Sequence, residues 1–151
     1  MITRKEVKHI RFLYYSTETT VDELSKYLWV GQSLIKEAVK YDLKITGPVH
    51  WHYHSFVGDL KKPFRLEVCL PGASVISEYD GDFHFKVTDL FTCISIIHSG
   101  NWLEIPSSYA RLMTYLQEHG LTPIGVNREL YINVDLNTPA ANVTEIQFGV
   151  S

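Results

Sequence analysis

The chain is short of the residues that mark most specialised protein classes. Its two cysteines, Cys69 and Cys93, lie far apart with no CxxC, a pattern unlike that of a disulfide scaffold. They suggest reduced thiols and a cytoplasmic protein. Nine Gly and six Pro in 151 residues exclude collagen-like and low-complexity architectures. Charged residues are only 21% and the net charge is −3, which fits neither disorder nor general nucleic-acid binding. No apolar run approaches the roughly 20 residues of a membrane span. No apolar stretch follows the charges of residues 1–6, so no signal peptide is expected. Neither a G-x-S-x-G nor a P-loop is present, and Ser107, Ser108, Cys69 and Cys93 have no neighbouring His in a recognisable nucleophile motif.

What the chain does have is apolar and aromatic residues. Hydrophobic residues make up 45%, enough for a packed core. Nine Tyr, seven Phe and three Trp give an aromatic share of 13%, which turns attention to ligands. Residues 7–15 (VKHIRFLYY) predict a strand. Thr20-Val21-Asp22-Glu23 has the form of a capping box, followed by Leu24, Leu28, Leu34, Ile35 and Ala38 at helical spacing. Gly31 falls on that stripe and leaves room either for a ligand or for close packing. Asp42 closes the helix and Gly47-Pro48 is a turn. Residues 49–56 and 64–70 predict two more strands, joined by a polar loop with Gly58, Asp59 and Pro63. After turn dipeptides at 71–72 and 81–82 the order restarts. A β-rich stretch spans 83–97, a helix opens near Pro106 and stops at Gly120, and strands follow at 124–134 and 143–150. The acidic segment 78–82 is expected to be a solvated turn.

The halves superimpose with a constant shift of 78 residues, which places Leu34 on Leu112, Gly47 on Gly125, Tyr53 on Tyr131 and Glu67 on Glu145. The expected fold class is therefore α+β. Two strand–helix–strand–strand repeats, about 1–73 and 79–151, form one antiparallel sheet with two helices on one face and a groove between them. Glu129 and Tyr131, two apart on a strand, share a face. On that strand alone they would face solvent while Leu130, Ile132 and Val134 face the core. The repeat opposes this, because the shift puts Trp51 and Tyr53 over Glu129 and Tyr131, opposite His50, His52 and His54. A face with Trp51, Tyr53, Tyr131 and one carboxylate suits an aromatic cation. Three histidines on one strand face could hold zinc or copper, but successive same-face side chains stand roughly 6–7 Å apart. No carboxylate or cysteine is evidently placed to complete a site, so a polar row facing solvent or a partner is expected, with no metal and no cofactor.

Gly125-Val126-Asn127-Arg128-Glu129-Leu130-Tyr131 resembles the G-x-x-R-E-x-Y strand of the GyrI-like domain, the effector-binding domain of AraC- and MerR-type multidrug regulators. Thr144-Glu145-Ile146-Gln147-Phe148 is similar to that family's closing strand, and Gly100-Asn101-Trp102 with the helix at 108–112 agrees. The resemblance implies one domain over 1–151 that binds bulky, often cationic, aromatic compounds between its helices. Glu129 would meet the positive charge, and Trp102 and Tyr109 would line the groove beside Trp51, Tyr53 and Tyr131. It implies a stand-alone sensor or sequestering protein, with no room before the first strand for a helix-turn-helix and no direct DNA or membrane binding; a homodimer is compatible. Two alternatives stay open: a small hydrolase of strained-ring or electrophilic toxins using the same pocket, and a gyrase-inhibitor-like protein–protein regulator. In the hydrolase, Glu129 would be the base, with Tyr131 or Tyr109 as proton donor.

Overall fold

A computed structural model describes residues 1–56, 59 and 61–151. Gly58 of the predicted loop lies outside them. The first half contains β1 (Thr3–Val7), β2 (Arg11–Thr19), α1 (Val30–Lys40), β3 (His50–His54) and β4 (Phe64–Gly72). The second contains β5 (His84–Val87), β6 (Phe91–Ser99), α2 (Ile105–Glu118), β7 (Pro123–Asn133) and β8 (Val143–Val150). The α+β class, the antiparallel sheet and the two helices are as the sequence predicts. Each half carries one strand more than the sequence reading. The stretches read as single strands at 7–15 and 83–97 both break, at Lys8–Ile10 and at Thr88–Leu90. The first helix is also shorter than predicted. A 3-10 segment covers Val21–Tyr27, and its N-cap Thr20 makes no side-chain cap bond. The Thr20 hydroxyl binds the Asp22 carboxylate instead.

All eight strands form one antiparallel sheet in the order β1-β6-β8-β7-β3-β4-β2-β5. Exchanging the halves reverses this order and leaves it otherwise unchanged. β3 and β7 meet at the centre, and each half lends its first strand to the other, β1 to β6 and β5 to β2. This topology forces curvature. β1 and β2 stand six positions apart, about 29 Å in a flat sheet. Yet three residues join them, and four Cα steps reach at most about 14 Å. The sheet must curl until its ends approach. The two linkers do meet, with Thr88 N donating to Ile10 O at 3.0 Å and Ile10 N to Thr88 Oγ1 at 3.2 Å.

Curling gives the sheet two different interiors. On one face α1 buries Val30, Leu34 and Ala38 against Leu13, Trp51, Tyr53, Leu66, Val68 and Leu70. On the same face α2 buries Leu112 and Leu116 against Ile94, Ile96, Ile146 and Phe148. Register fixes that this is one face, because Trp51 pairs Glu129, Glu129 pairs Ile146 and Ile146 pairs Ile96. A Cβ added at Gly31 would meet the Val49 side chain at ordinary contact distance, so packing there does not demand glycine. Among the described residues no helix covers the other face, and the curl of the sheet encloses it. The acidic turn is not merely solvated, because the Tyr79 hydroxyl donates to Glu37 of α1 at 2.5 Å. Among the described residues no helix is long and apolar enough to cross a membrane.

Candidate functional site

β7 reaches the centre of the sheet through an irregular register between Pro123 and Asn127. Gly125 lies in that stretch at φ 84, a left-handed conformation that costs glycine little. Beyond it Glu129 and Tyr131 point to the helix-bearing face. Glu129 is 6% exposed, whereas Ile132 of the opposite parity is 51% exposed. The alternative in which Glu129 and Tyr131 face solvent while Leu130, Ile132 and Val134 face the core does not hold, since Glu129 is buried, Ile132 and Val134 are exposed and Leu130 is only half-buried.

Three tyrosine hydroxyls surround the Glu129 carboxylate. Tyr131 Oη donates to Oε1 at 2.6 Å, Tyr53 Oη to Oε1 at 3.2 Å and Tyr109 Oη to Oε2 at 2.7 Å. One donor comes from each of β3, α2 and β7, so the site exists only when the halves are assembled. Trp51 and Trp102 stand edge-on to the Tyr131 ring, with centroids at 5.8 and 5.6 Å. All six residues predicted for the groove thus come together. Burial pushes the Glu129 carboxyl above its ordinary value, and the three hydroxyls, Tyr109 foremost, pull the other way. Burial, then the Glu129 charge, raises all three tyrosines well above theirs. Among the described residues no Lys, Arg or His forms an ion pair with Glu129. Two buried polar atoms flanking Tyr131, Trp102 Nε1 and Thr144 Oγ1, also have no hydrogen-bond partner among the described residues.

One pair near this site has no local sequence signal. His98 Nδ1 lies 2.8 Å from Ser108 Oγ, and its Nε2 lies 2.9 Å from the Asn101 carbonyl. A carbonyl can only accept, so Nε2 carries a proton and donates to it. The pair ties α2 to β6. Burial pushes the Cys69 thiol up to about 12 and that of Cys93 to about 11, so neither is an activated nucleophile.

The helix-free face corrects the expectation for the histidines. His50 and His52 are buried rather than facing solvent, and a carboxylate and a thiol lie beside them. His50 Nδ1 is 3.2 Å from His52 Nε2, and His52 Nδ1 is 3.5 Å from Cys69 Sγ and 3.1 Å from Lys86 Nζ. Glu67 Oε1 accepts from Lys86 Nζ at 2.9 Å and meets His54 Nε2 at 2.5 Å. Burial lowers His50 to about 3 and His52 well below its ordinary value, with Arg128 and Lys86 adding to the effect. Burial would raise Glu67, but the bonds to His54 and Lys86 hold it at about 2. Arg128 stacks on Phe91, its guanidinium carbon 4.0 Å from the ring centroid, with Nε and Nη1 unpartnered. Glu67 and Lys86 were not foreseen, because only the pairing of β3 with β4 and β2 with β5 brings them to the histidines.

The description of the GyrI-like small molecule binding domain matches residues 1–151. None of the curated proteins compared matches the chain. The C-terminal domain of EcmrR has the same fold, with a TM-score of 0.84 at 21% identity, over 100% of this chain and 97% of that one. In EcmrR complexed with DNA, the chain corresponds to 57% of the EcmrR polypeptide at 24% identity and a TM-score of 0.83. SAV2435 bound to tetraphenylphosphonium matches with a TM-score of 0.68 at 13% identity, covering 100% of this chain and 94% of that one. A Listeria innocua hydrolase matches with a TM-score of 0.67 at 14% identity, covering 99% and 91%.

Proposed function

Because the chain belongs to the GyrI-like small molecule binding domains, we propose that it captures bulky, hydrophobic cations over Glu129 as a sensor or sequestering domain. The observation that carries this is the buried Glu129 carboxylate, which accepts three hydroxyls and, among the described residues, pairs with no cation. Neutral donors offset part of the cost of burying a charge, and an incoming cation supplies the rest. Trp51, Trp102 and the tyrosines add stacking and cation–π surface. Trp102 Nε1 and Thr144 Oγ1 can hydrogen-bond a ligand's polar substituents. The complex of SAV2435 with tetraphenylphosphonium, a lipophilic cation, supports this ligand class. Both helices are packed on the sheet and the net charge is −3, so duplex DNA is not the ligand. Reduced buried thiols suit a cytoplasmic setting.

Tetraphenylphosphonium is expected to bind the full chain with about micromolar affinity, near −8 kcal/mol, and to quench tryptophan fluorescence. Glu129→Gln should weaken the cation by about 1–3 kcal/mol and leave a neutral analogue of equal size unchanged or improved. Equal loss for both ligands, or for neither, would show that Glu129 is not the countercharge. A second reading, hydrolysis, is favoured by the Listeria hydrolase and by a raised carboxyl beside three phenols that could serve as base and acids. Mass spectrometry of electrophilic ligands after incubation separates the two: a binder returns them intact, and a hydrolase adds water.

A further inference from the structure

We propose that the helix-free face holds a divalent transition-metal site of the Zn2+ class, formed by His52, His54 and Glu67. The donor atoms of these three residues all lie within 4.8 Å of one another. In a tetrahedral site with bonds of about 2.0–2.1 Å, donors stand about 3.3 Å apart, so side-chain shifts of about an ångström complete it. Three histidines along one strand cannot converge this way. Glu67 can join two of them because β4 pairs it directly opposite His52.

The orientation of each donor fits an ion. His50 Nδ1 meets His52 Nε2 and so leaves His52 Nδ1 directed at the site, the support that a ligating imidazole takes from its other nitrogen. His54 presents Nε2 to Glu67 Oε1. A positive charge is already favoured there, since the Lys86 ammonium lies 2.9 Å from Glu67 Oε1 and 3.1 Å from His52 Nδ1. Lys86 is thus the internal cation of the metal-free protein, and an entering ion displaces it. The fold can then stand without metal. A cavity of about 430 Å³ opens at His54, the one proposed ligand that lines it, beside Ser16, Glu18, Ser55, Phe64 and Arg65. Water from this cavity supplies the fourth ligand. Two nitrogens, one carboxylate oxygen and an open position are the donor set of catalytic zinc sites.

The test is titration of the full chain with Co2+, followed by visible absorption, with Zn2+ competing, and with folding checked by circular dichroism. The wild-type protein should bind one Co2+ with the bands of a four-coordinate nitrogen–oxygen site and no sulfur charge-transfer band. His54→Ala and Glu67→Gln should each weaken binding at least about tenfold. Lys86→Met removes the competing ammonium and should strengthen it. His54 is partly exposed, so His54→Ala decides the matter if Glu67→Gln fails to fold. The assignment is overturned if neither wild type nor Lys86→Met binds Co2+ at millimolar concentration. It is equally overturned if His54→Ala leaves binding unchanged or Lys86→Met weakens it.

Discussion

A carboxylate held by three phenols and no cation is a compromise between hydrogen bonding and desolvation. At Glu129 burial is the larger effect, since the group is shifted upward despite three donors. A carboxyl whose folded value lies above its unfolded one stabilises the fold fully at acid pH. That contribution is lost as pH rises through the raised value. The ligand-free Glu129→Gln protein should therefore be more stable than wild type at neutral pH. The gain should vanish at pH below the ordinary carboxylate range, where wild-type Glu129 is protonated. Urea unfolding at both pH values measures it. A variant less stable at neutral pH would mean that the tyrosine bonds outweigh desolvation and that Glu129 needs no partner. Cation affinity has the opposite trend and should climb as Glu129 ionises.

At the scale of elements, β3 decides most of the chemistry in five residues. Its odd positions, Trp51 and Tyr53, join the aromatic cluster around Glu129, and its even positions build the polar interior. α1 shows how tertiary burial overrides local pattern. Leu34 is fully buried, whereas Leu28, on the same predicted stripe, is 52% exposed and precedes α1. Leu34→Ala should cost about 2–5 kcal/mol, while Leu28→Ala should stay within about 0.5 kcal/mol; chemical denaturation of both variants checks this. The two-residue period and the shift of 78 residues were enough to place Trp51, Tyr53, Glu129 and Tyr131 on one face. The breaks after Val7 and Val87 were illegible, because β-rich residues continue through them and only the exchange of partners ends the strands. Likewise Thr20 carries the letters of a capping box but spends its hydroxyl on Asp22. The His98–Ser108 and Glu67–Lys86 contacts depend on packing and pairing between distant segments, which spacing along the chain does not encode.

For the whole molecule, the exchange of first strands makes the halves interdependent. β2 has β5 of the other half on its outer edge, and β6 has β1. β3 joins β7 at the centre, and the curl that encloses the polar face needs both short linkers. A fragment of residues 1–73 keeps β2, β3, β4 and α1 but leaves β1 without a partner and exposes two bare strand edges. It also loses Phe83 and Phe85, which pack on its core. Neither this fragment nor 79–151 should unfold cooperatively as a monomer. The curl also exchanges halves onto each other almost symmetrically, so any folding of one fragment should rise with concentration as it pairs with itself. Mixing the two in equal amounts should restore one cooperative transition and the tetraphenylphosphonium quench, because Tyr53 comes from one fragment and Tyr109, Glu129 and Tyr131 from the other. Ultracentrifugation and fluorescence titration of the mixture read both. A cooperative, monomeric 1–73 fragment would show that strand exchange is dispensable and that the halves are independent folding units.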